Sequence, residues 1–343
     1  MNNTKLPIIL LGIAFIIVFG IFASRNQASL PAYVEQDEDV IQEEEQQEEE
    51  KKDIPLTDFT DEKTGFTIGV PTDWTYVLKN GNATFVHAPS QSSLTIKVAE
   101  YEPTLLLAKS DTISNSLSEQ GFTLTYFYWI DNSSYAMSYQ GHSNGYLYDY
   151  ISITSFDRET SVTLTYTVQD QKLERLQDEI SASIDSISWK KAYPIPNNFR
   201  LYYSDFGNFE YGVPENWNLN VVNGIFYAEE PNMHASIAVT AKQNDVSYQN
   251  VSQVEYLSFV TQGRSNFNLQ NFSNDNGLIS TNGTYKSGNQ IIMFSQLLYA
   301  NNGFEYSITM ECPYETYAEV QPYFDVEKAL FRAFDTSFLD QSS

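Results

Sequence analysis

One short phrase occurs twice in the chain. Residues 66–74 read FTIGVPTDW and residues 209–217 read FEYGVPENW, with Phe, Gly, Val, Pro and Trp at matching places 143 positions apart. Proline fixes φ and has no N–H to donate, so a strand running through Phe66 or Phe209 must end or bulge at Pro71 or Pro214. Gly69 and Gly212 point to close approach of another backbone. Trp74 and Trp217 follow the forced turn, where an indole can fold back over a sheet and bury a large area. The phrase therefore reads as a structural corner used once in each of two copies of a domain.

The repeat extends past the phrase. SSLTIKVAE in the first copy matches ASIAVTAK in the second, and a helix follows each. The first helical stretch starts at Pro103-Thr104 and carries Leu106, Ile113 and Leu117; the second starts at Ser247 and carries Val251, Val254 and Leu257. Both close on Gln-Gly, at Gln120-Gly121 and Gln262-Gly263, as a glycine C-cap requires. Runs of period two rich in Tyr, Phe, Ile and Thr come next, with Asn144-Gly145 and Asn302-Gly303 as hairpin turns. A last helix ends each copy, striped by Leu173, Leu176, Ile180 and Ile184 in one and suggested by Phe324, Phe331 and Phe334 in the other. Strands, helix, antiparallel meander and helix make an α+β domain. The expected division is domain 1 at 56–189, a Pro-containing linker at 190–198 (KKAYPIPNN) and domain 2 at 199–339.

A G-F-x-[IF]-x-x-P-x-x-W start, a helix, a Tyr-rich meander and a C-terminal helix resemble the PsbP-like fold. That fold is shared by the extrinsic photosystem II protein PsbP, a nuclear transport factor that binds Ran, and bacterial exported proteins of unknown role. The resemblance rests on Phe66, Pro71 and Trp74 and on Phe209, Pro214 and Trp217. It implies an α/β/α sandwich around a central antiparallel sheet in each copy, with binding or assembly roles rather than catalysis. It brings no catalytic residue.

Ahead of the domains, residues 6–23 (LPIILLGIAFIIVFGIFA) are 18 residues without a charge. At about 1.5 Å per residue they reach roughly 27 Å, near the hydrocarbon thickness of a bilayer. Lys5 precedes them and the acids lie beyond Arg25, so residues 1–5 are expected in the cytoplasm and the bulk of the chain outside a bacterial cell membrane. Ile21 or Phe22 would stand at −3 of any cut after Ala23 or Ser24, which favours a retained signal-anchor over a cleaved peptide. Residues 24–55 read as an acidic disordered linker. Its 35–53 run holds eleven acids against two lysines, too polar to bury a core, and shows no calcium-loop ligand order.

The chain carries 19 basic and 44 acidic side chains, a formal net charge of −25, which repels nucleic acid. A lone cysteine, Cys312, forms no internal disulfide and reads as half-buried and structural. His87, His142 and His234 have no partner at metal-ligand spacing, and phosphate-loop, nucleophile-elbow and dinucleotide motifs are absent from the sequence. No catalytic residue, cofactor or metal is expected, and the chain reads as a non-enzyme. Tyr126, Tyr128, Trp129, Tyr146 and Tyr148 stand out as possible ligand-facing aromatics, because half of an antiparallel sheet can face outward. The sequence thus points to a membrane-anchored, extracytoplasmic protein-binding or assembly protein. A cell-wall glycan- or small-ligand-binding module working through Tyr and Trp faces is the alternative.

Overall fold

The computed structural model describes residues 53–222, 224–244 and 246–334. The 6–23 segment, nearly all of the acidic linker and the end of domain 2 lie outside them. No helix among the described residues is long and apolar enough to cross a membrane. The described residues divide into two compact units, one of 53–101 and 108–194 and one of 102–107 and 195–334.

In unit 1, β1 (Leu56–Thr60) and β2 (Thr67–Pro71) form a hairpin with Leu56 opposite Pro71 and Thr60 opposite Thr67. The other strands are β3 (Thr75–Lys79), β4 (Asn82–His87), β5 (Ser92–Glu100), β6 (Phe122–Asp131), β7 (Ser134–Ser143), β8 (Tyr146–Phe156) and β9 (Thr160–Gln169). They form one antiparallel sheet in the order β3-β4-β5-β9-β8-β7-β6. Asn80-Gly81 and Asn144-Gly145 have positive φ at both residues, the backbone of a two-residue type I′ turn. Helix α1 (Ser110–Glu119) precedes β6, and helix α2 (Leu173–Asp185) follows β9.

Alternation decides what each face buries. Leu94, Ile96, Val162, Leu164, Tyr166 and Val168 share one face, where Phe66, Ile68 and Val70 of the hairpin and Leu176, Ile180 and Ile184 of α2 close the core. Gly69 is the point of closest approach: a Cβ there would lie 2.8 Å from Leu56 Cδ1 and 3.0 Å from Ser186 Oγ. That hydroxyl accepts the Gly69 N–H, and Ser183 donates to the Gly69 carbonyl while accepting from Tyr166.

Unit 2 repeats the topology. A small sheet β10-β11-β19 (Phe199–Ser204, Phe209–Pro214, Arg332–Ala333) replaces the hairpin. The large sheet runs β12-β13-β14-β18-β17-β16-β15 (Asn218–Val222, Ile225–Glu230, Ala235–Gln243, Phe304–Pro313, Gln290–Asn301, Leu278–Ser287, Ser265–Asp275). Helices α3 (Gln253–Val260) and α4 (Tyr317–Leu330) complete it. Phe209, Tyr211, Val213, Ile308, Met310, Val320 and Phe324 form one core. On the opposite face Tyr256 and Val260 of α3 pack with Ile279, Phe294 and Leu298.

Several sequence expectations shift. The stretch from Pro103 is a 3-10 turn at Pro103–Leu107 separate from α1, and α3 begins at Gln253 rather than Ser247. The start of α3 is set by a capping box: Ser252 accepts from the Glu255 N–H, and the Glu255 carboxylate accepts from the Ser252 N–H. Phe331 and Phe334 are not on the last helix, which ends at Leu330; its buried stripe is Val320, Phe324, Glu327 and Leu330. Cys312 is buried, not half-buried, inside β18. Residues 190–194 belong to unit 1, where Lys191 donates to Ser133 and Asp157 accepts from the backbone of Ala192 and Tyr193.

Candidate binding groove

The repeated phrase builds one corner in both units. Trp74 is 6% exposed and Trp217 5%, so neither indole is a stacking platform. Phe66 and Phe209 are core residues, and Pro71 and Pro214 end β2 and β11. The copies differ in what meets the indole N–H. Trp74 Nε1 donates to Glu179 Oε2 at 3.0 Å. At the equivalent place in α4 stands Tyr323, whose ring packs 5.5 Å from that of Trp217, and the buried Trp217 Nε1 has no hydrogen-bond partner among the described residues.

The five possible ligand-facing aromatics do not share a surface. A bulge between Leu124 and Tyr126 shifts the phase of β6. Tyr128 pairs with Ala136, which pairs with Ile153, which pairs with Leu164, so Tyr126 and Tyr128 lie on the face of the hairpin and α2. Trp129 pairs with Tyr135 and lies on the other face, where its Nε1 donates to the Ala108 carbonyl. Tyr146 and Tyr148 lie at the start of β8 on that second face by the same alternation. Burial pushes the Tyr128 hydroxyl up to about 12, with the Tyr126 hydroxyl beside it adding to the shift.

His87 sits between a serine and an aspartate. Its Nδ1 is 2.6 Å from Ser90 Oγ and its Nε2 3.3 Å from Asp73 Oδ2, and its ring stacks on Trp74. The order Ser–His–Asp is that of a nucleophilic triad, but the sister copy shows a different role. Glu230 occupies the position of His87 and holds its own hairpin turn by accepting from Asn232 and from the Met233 N–H. Ser90 is buried within the His87 turn. The histidine is a latch on the β4–β5 hairpin, as the glutamate is on β13–β14. Among the described residues no group of three or more His, Cys, Asp or Glu is placed to hold a metal ion.

A groove of about 400 Å³ with an open approach lies in unit 1. It is lined by Thr57, Asp58 and Phe59 of β1, by Val70, Pro71 and Thr72, and by Trp74, Tyr76 and Phe85. Phe59, Tyr76 and Phe85 form its aromatic wall: the Phe59–Phe85 and Tyr76–Phe85 ring centroids are both 5.4 Å apart, in edge-on contact. At the matching place in unit 2, Tyr202 stacks on Tyr211, and Phe226 packs against both Tyr211 and Phe209.

The groove opens at a sheet edge. All five residues of β3 are exposed, with Tyr76 at 51% and Leu78 at 70%. Its counterpart β12 exposes Val221 and Val222. The opposite edges, β6 and β15, each carry two register irregularities, which disrupt pairing with another strand. By contrast β3 pairs with β4 without a shift, as β12 does with β13, and Lys79 is the one charged side chain in the two strands.

No family model matches the sequence, and no curated protein matches it. Among solved structures the chain is similar to cyanobacterial PsbP (CyanoP) from Synechocystis sp. PCC 6803, with 14% identity and a TM-score of 0.31, covering 43% of this chain and 98% of that one. It is similar to the Saccharomyces cerevisiae Ran-binding protein Mog1p at 11% identity and a TM-score of 0.31, covering 41% and 97%. It is also similar to the type VI secretion immunity protein TplEi of Pseudomonas aeruginosa at 12% identity and a TM-score of 0.24, covering 81% and 97%. PsbP and a Ran-binding protein are the two proteins whose fold the repeated phrase resembles. These likenesses bear on fold and assign no residue a role.

Proposed function

We propose that the chain is a non-enzymatic binding or assembly protein that engages a protein partner through its folded units. In this reading residues 6–23 hold it in a cell membrane, and the acidic linker sets the units off from the surface on the extracytoplasmic side. The observation that carries the binding role is the contrast between sheet edges. Bulges break up β6 and β15, whereas β3 and β12 are regular and expose Tyr76, Val77, Leu78, Val221 and Val222. Soluble proteins guard such edges with charge, proline or bulges, because a bare edge pairs with other chains. Here bulges guard one side of each sheet, and on the other Lys79 is the one charge across both strands.

The test is a cross-linked pull-down of the full chain from membranes of cells that express it, read by mass spectrometry. A stoichiometric protein that is lost when either 56–189 or 199–339 is deleted supports the reading and names the working unit. Recovery of no protein above background refutes it.

A further inference from the structure

We propose that unit 1 binds an extended, lysine- or arginine-bearing segment of its partner as an added strand on β3. The partner's alternate apolar side chains enter the groove walled by Phe59, Tyr76 and Phe85. This rests on the protein-binding reading above and names the chemistry of the partner.

The backbone geometry comes first. Lys79 and Asn82 flank the two-residue Asn80-Gly81 turn, so they form a hydrogen-bonded pair. Alternation then makes Val77–Thr84 and Thr75–Val86 hydrogen-bonded pairs. The N–H and C=O groups of Tyr76 and Leu78 point away from β4, along the open edge. An incoming strand meets a donor–acceptor row there, with nothing to displace among the described residues.

Side chains give the second reason. Tyr76 pairs with Phe85 and Phe85 with Leu94, so Tyr76, and with it Leu78, project to the face where β1 and β2 lie. A strand on β3 places every second side chain on that face, beside the Phe59 and Tyr76 rings, and the others over the opposite face near Val77. A groove of about 400 Å³ holds a few apolar side chains and no globular domain.

Charge selects the occupant. Asp58 lines the groove and is exposed, and Asp73, at its Trp74 end, has a side chain 61% exposed. Lys79 is the one basic residue on β3. A second copy of this chain, with a formal net charge of −25, is a poor match for that rim, and the acidic 35–53 run is repelled by it. A cationic strand gains from the same field and is steered by it.

The experiment uses the full chain in detergent micelles and a labelled nine-residue peptide alternating valine with lysine, capped at both ends. Controls are its valine–glutamate counterpart and a lysine peptide interrupted by proline. Fluorescence anisotropy is expected to show saturable binding of the valine–lysine peptide alone. Leu78→Pro removes one outward N–H without touching the β3–β4 ladder and is expected to weaken binding at least tenfold. Asp58→Lys is expected to weaken it several-fold even if Leu78→Pro disturbs the fold by circular dichroism. Val221→Pro, on the matching edge of unit 2, is expected to change nothing. Equal binding to wild type and both unit 1 variants, or no binding at millimolar peptide, overturns the proposal. A partner recovered in the pull-down alongside such a failure leaves the protein-binding reading standing and moves its site away from β3.

Discussion

The two copies of the repeated phrase offer an internal control on what the buried tryptophan contributes. Trp74→Phe and Trp217→Phe remove the same atoms from equivalent corners. Each forfeits packing on a buried indole, about 1–3 kcal/mol for a modest reduction in size. The hydrogen-bond contributions then diverge. Trp74 loses a 3.0 Å bond to the half-buried Glu179 carboxylate, which adds about 1–2 kcal/mol after discount for solvent. Trp217 loses a buried donor with no acceptor, and relief of that desolvation returns about 1–3 kcal/mol. Trp74→Phe is therefore expected to cost unit 1 about 2–5 kcal/mol more than Trp217→Phe costs unit 2. Native-state hydrogen exchange read on peptides from β9 and β18 measures each unit within the intact chain. Costs within about 0.5 kcal/mol of each other, or a larger cost at Trp217, would refute the reasoning and mean that packing alone decides the corner.

Further outcomes can be checked on the same preparation. Gly212→Ala places a Cβ beside Leu330 Cδ1 and 3.0 Å from Glu327 Oε2, and is expected to lower unit 2 stability by about 1–3 kcal/mol; an unchanged melting temperature would show that α4 can shift freely. Ser252→Ala is expected to cost about 1 kcal/mol and raise exchange across α3. The Glu255 carboxyl is held below its usual range, chiefly by the Ser252 backbone N–H. A depressed carboxyl stabilises above its unfolded value, roughly pH 4.3, and loses that contribution as pH falls through the folded one; Ser252→Ala removes the hydroxyl's bond but keeps the backbone N–H, so it should flatten the acid limb of the stability profile only in part. Burial pushes the Cys312 thiol up to about 11, so a thiol reagent at pH 8 should label it only after unfolding. A thiol raised on folding stabilises fully below its unfolded value of about 8.5, and that contribution drains away as pH rises toward 11.

Much of the architecture was legible because it is local. The double FxxGVPxxW phrase, the Asn-Gly turns and the period-two runs each act within a few residues, and they mark elements that exist. The capping box at Ser252 and Glu255 was equally local and could have placed the start of α3. What escaped depends on distant partners. One extra residue in β6 moves Tyr126 and Tyr128 off the face that Leu124, Tyr146 and Tyr148 share, and a bulge has no dependable sequence mark. The groove escaped for the same reason: Phe59 and Tyr76 look like two ordinary strand aromatics until β1 is laid across the end of the sheet. His87 has no partner at metal-ligand spacing in the sequence, and comparison with Glu230 of the other copy shows what it holds.

The sheet order has a consequence for how the chain acquires its structure. In each unit the middle of the sheet is the pairing of β5 with β9, or β14 with β18, and the helix and meander all intervene. Neighbouring hairpins close quickly over short loops, but this seam must wait for the longest loop within the large sheet. Until β9 emerges from a ribosome, β3-β4-β5 is a three-stranded ribbon whose Leu94 and Ile96 lack the partners that bury them. A chain truncated before Thr160 is left in that state permanently, with β5 as a bare apolar edge, and should aggregate, whereas one ending after Pro194 carries a complete first sheet and should not.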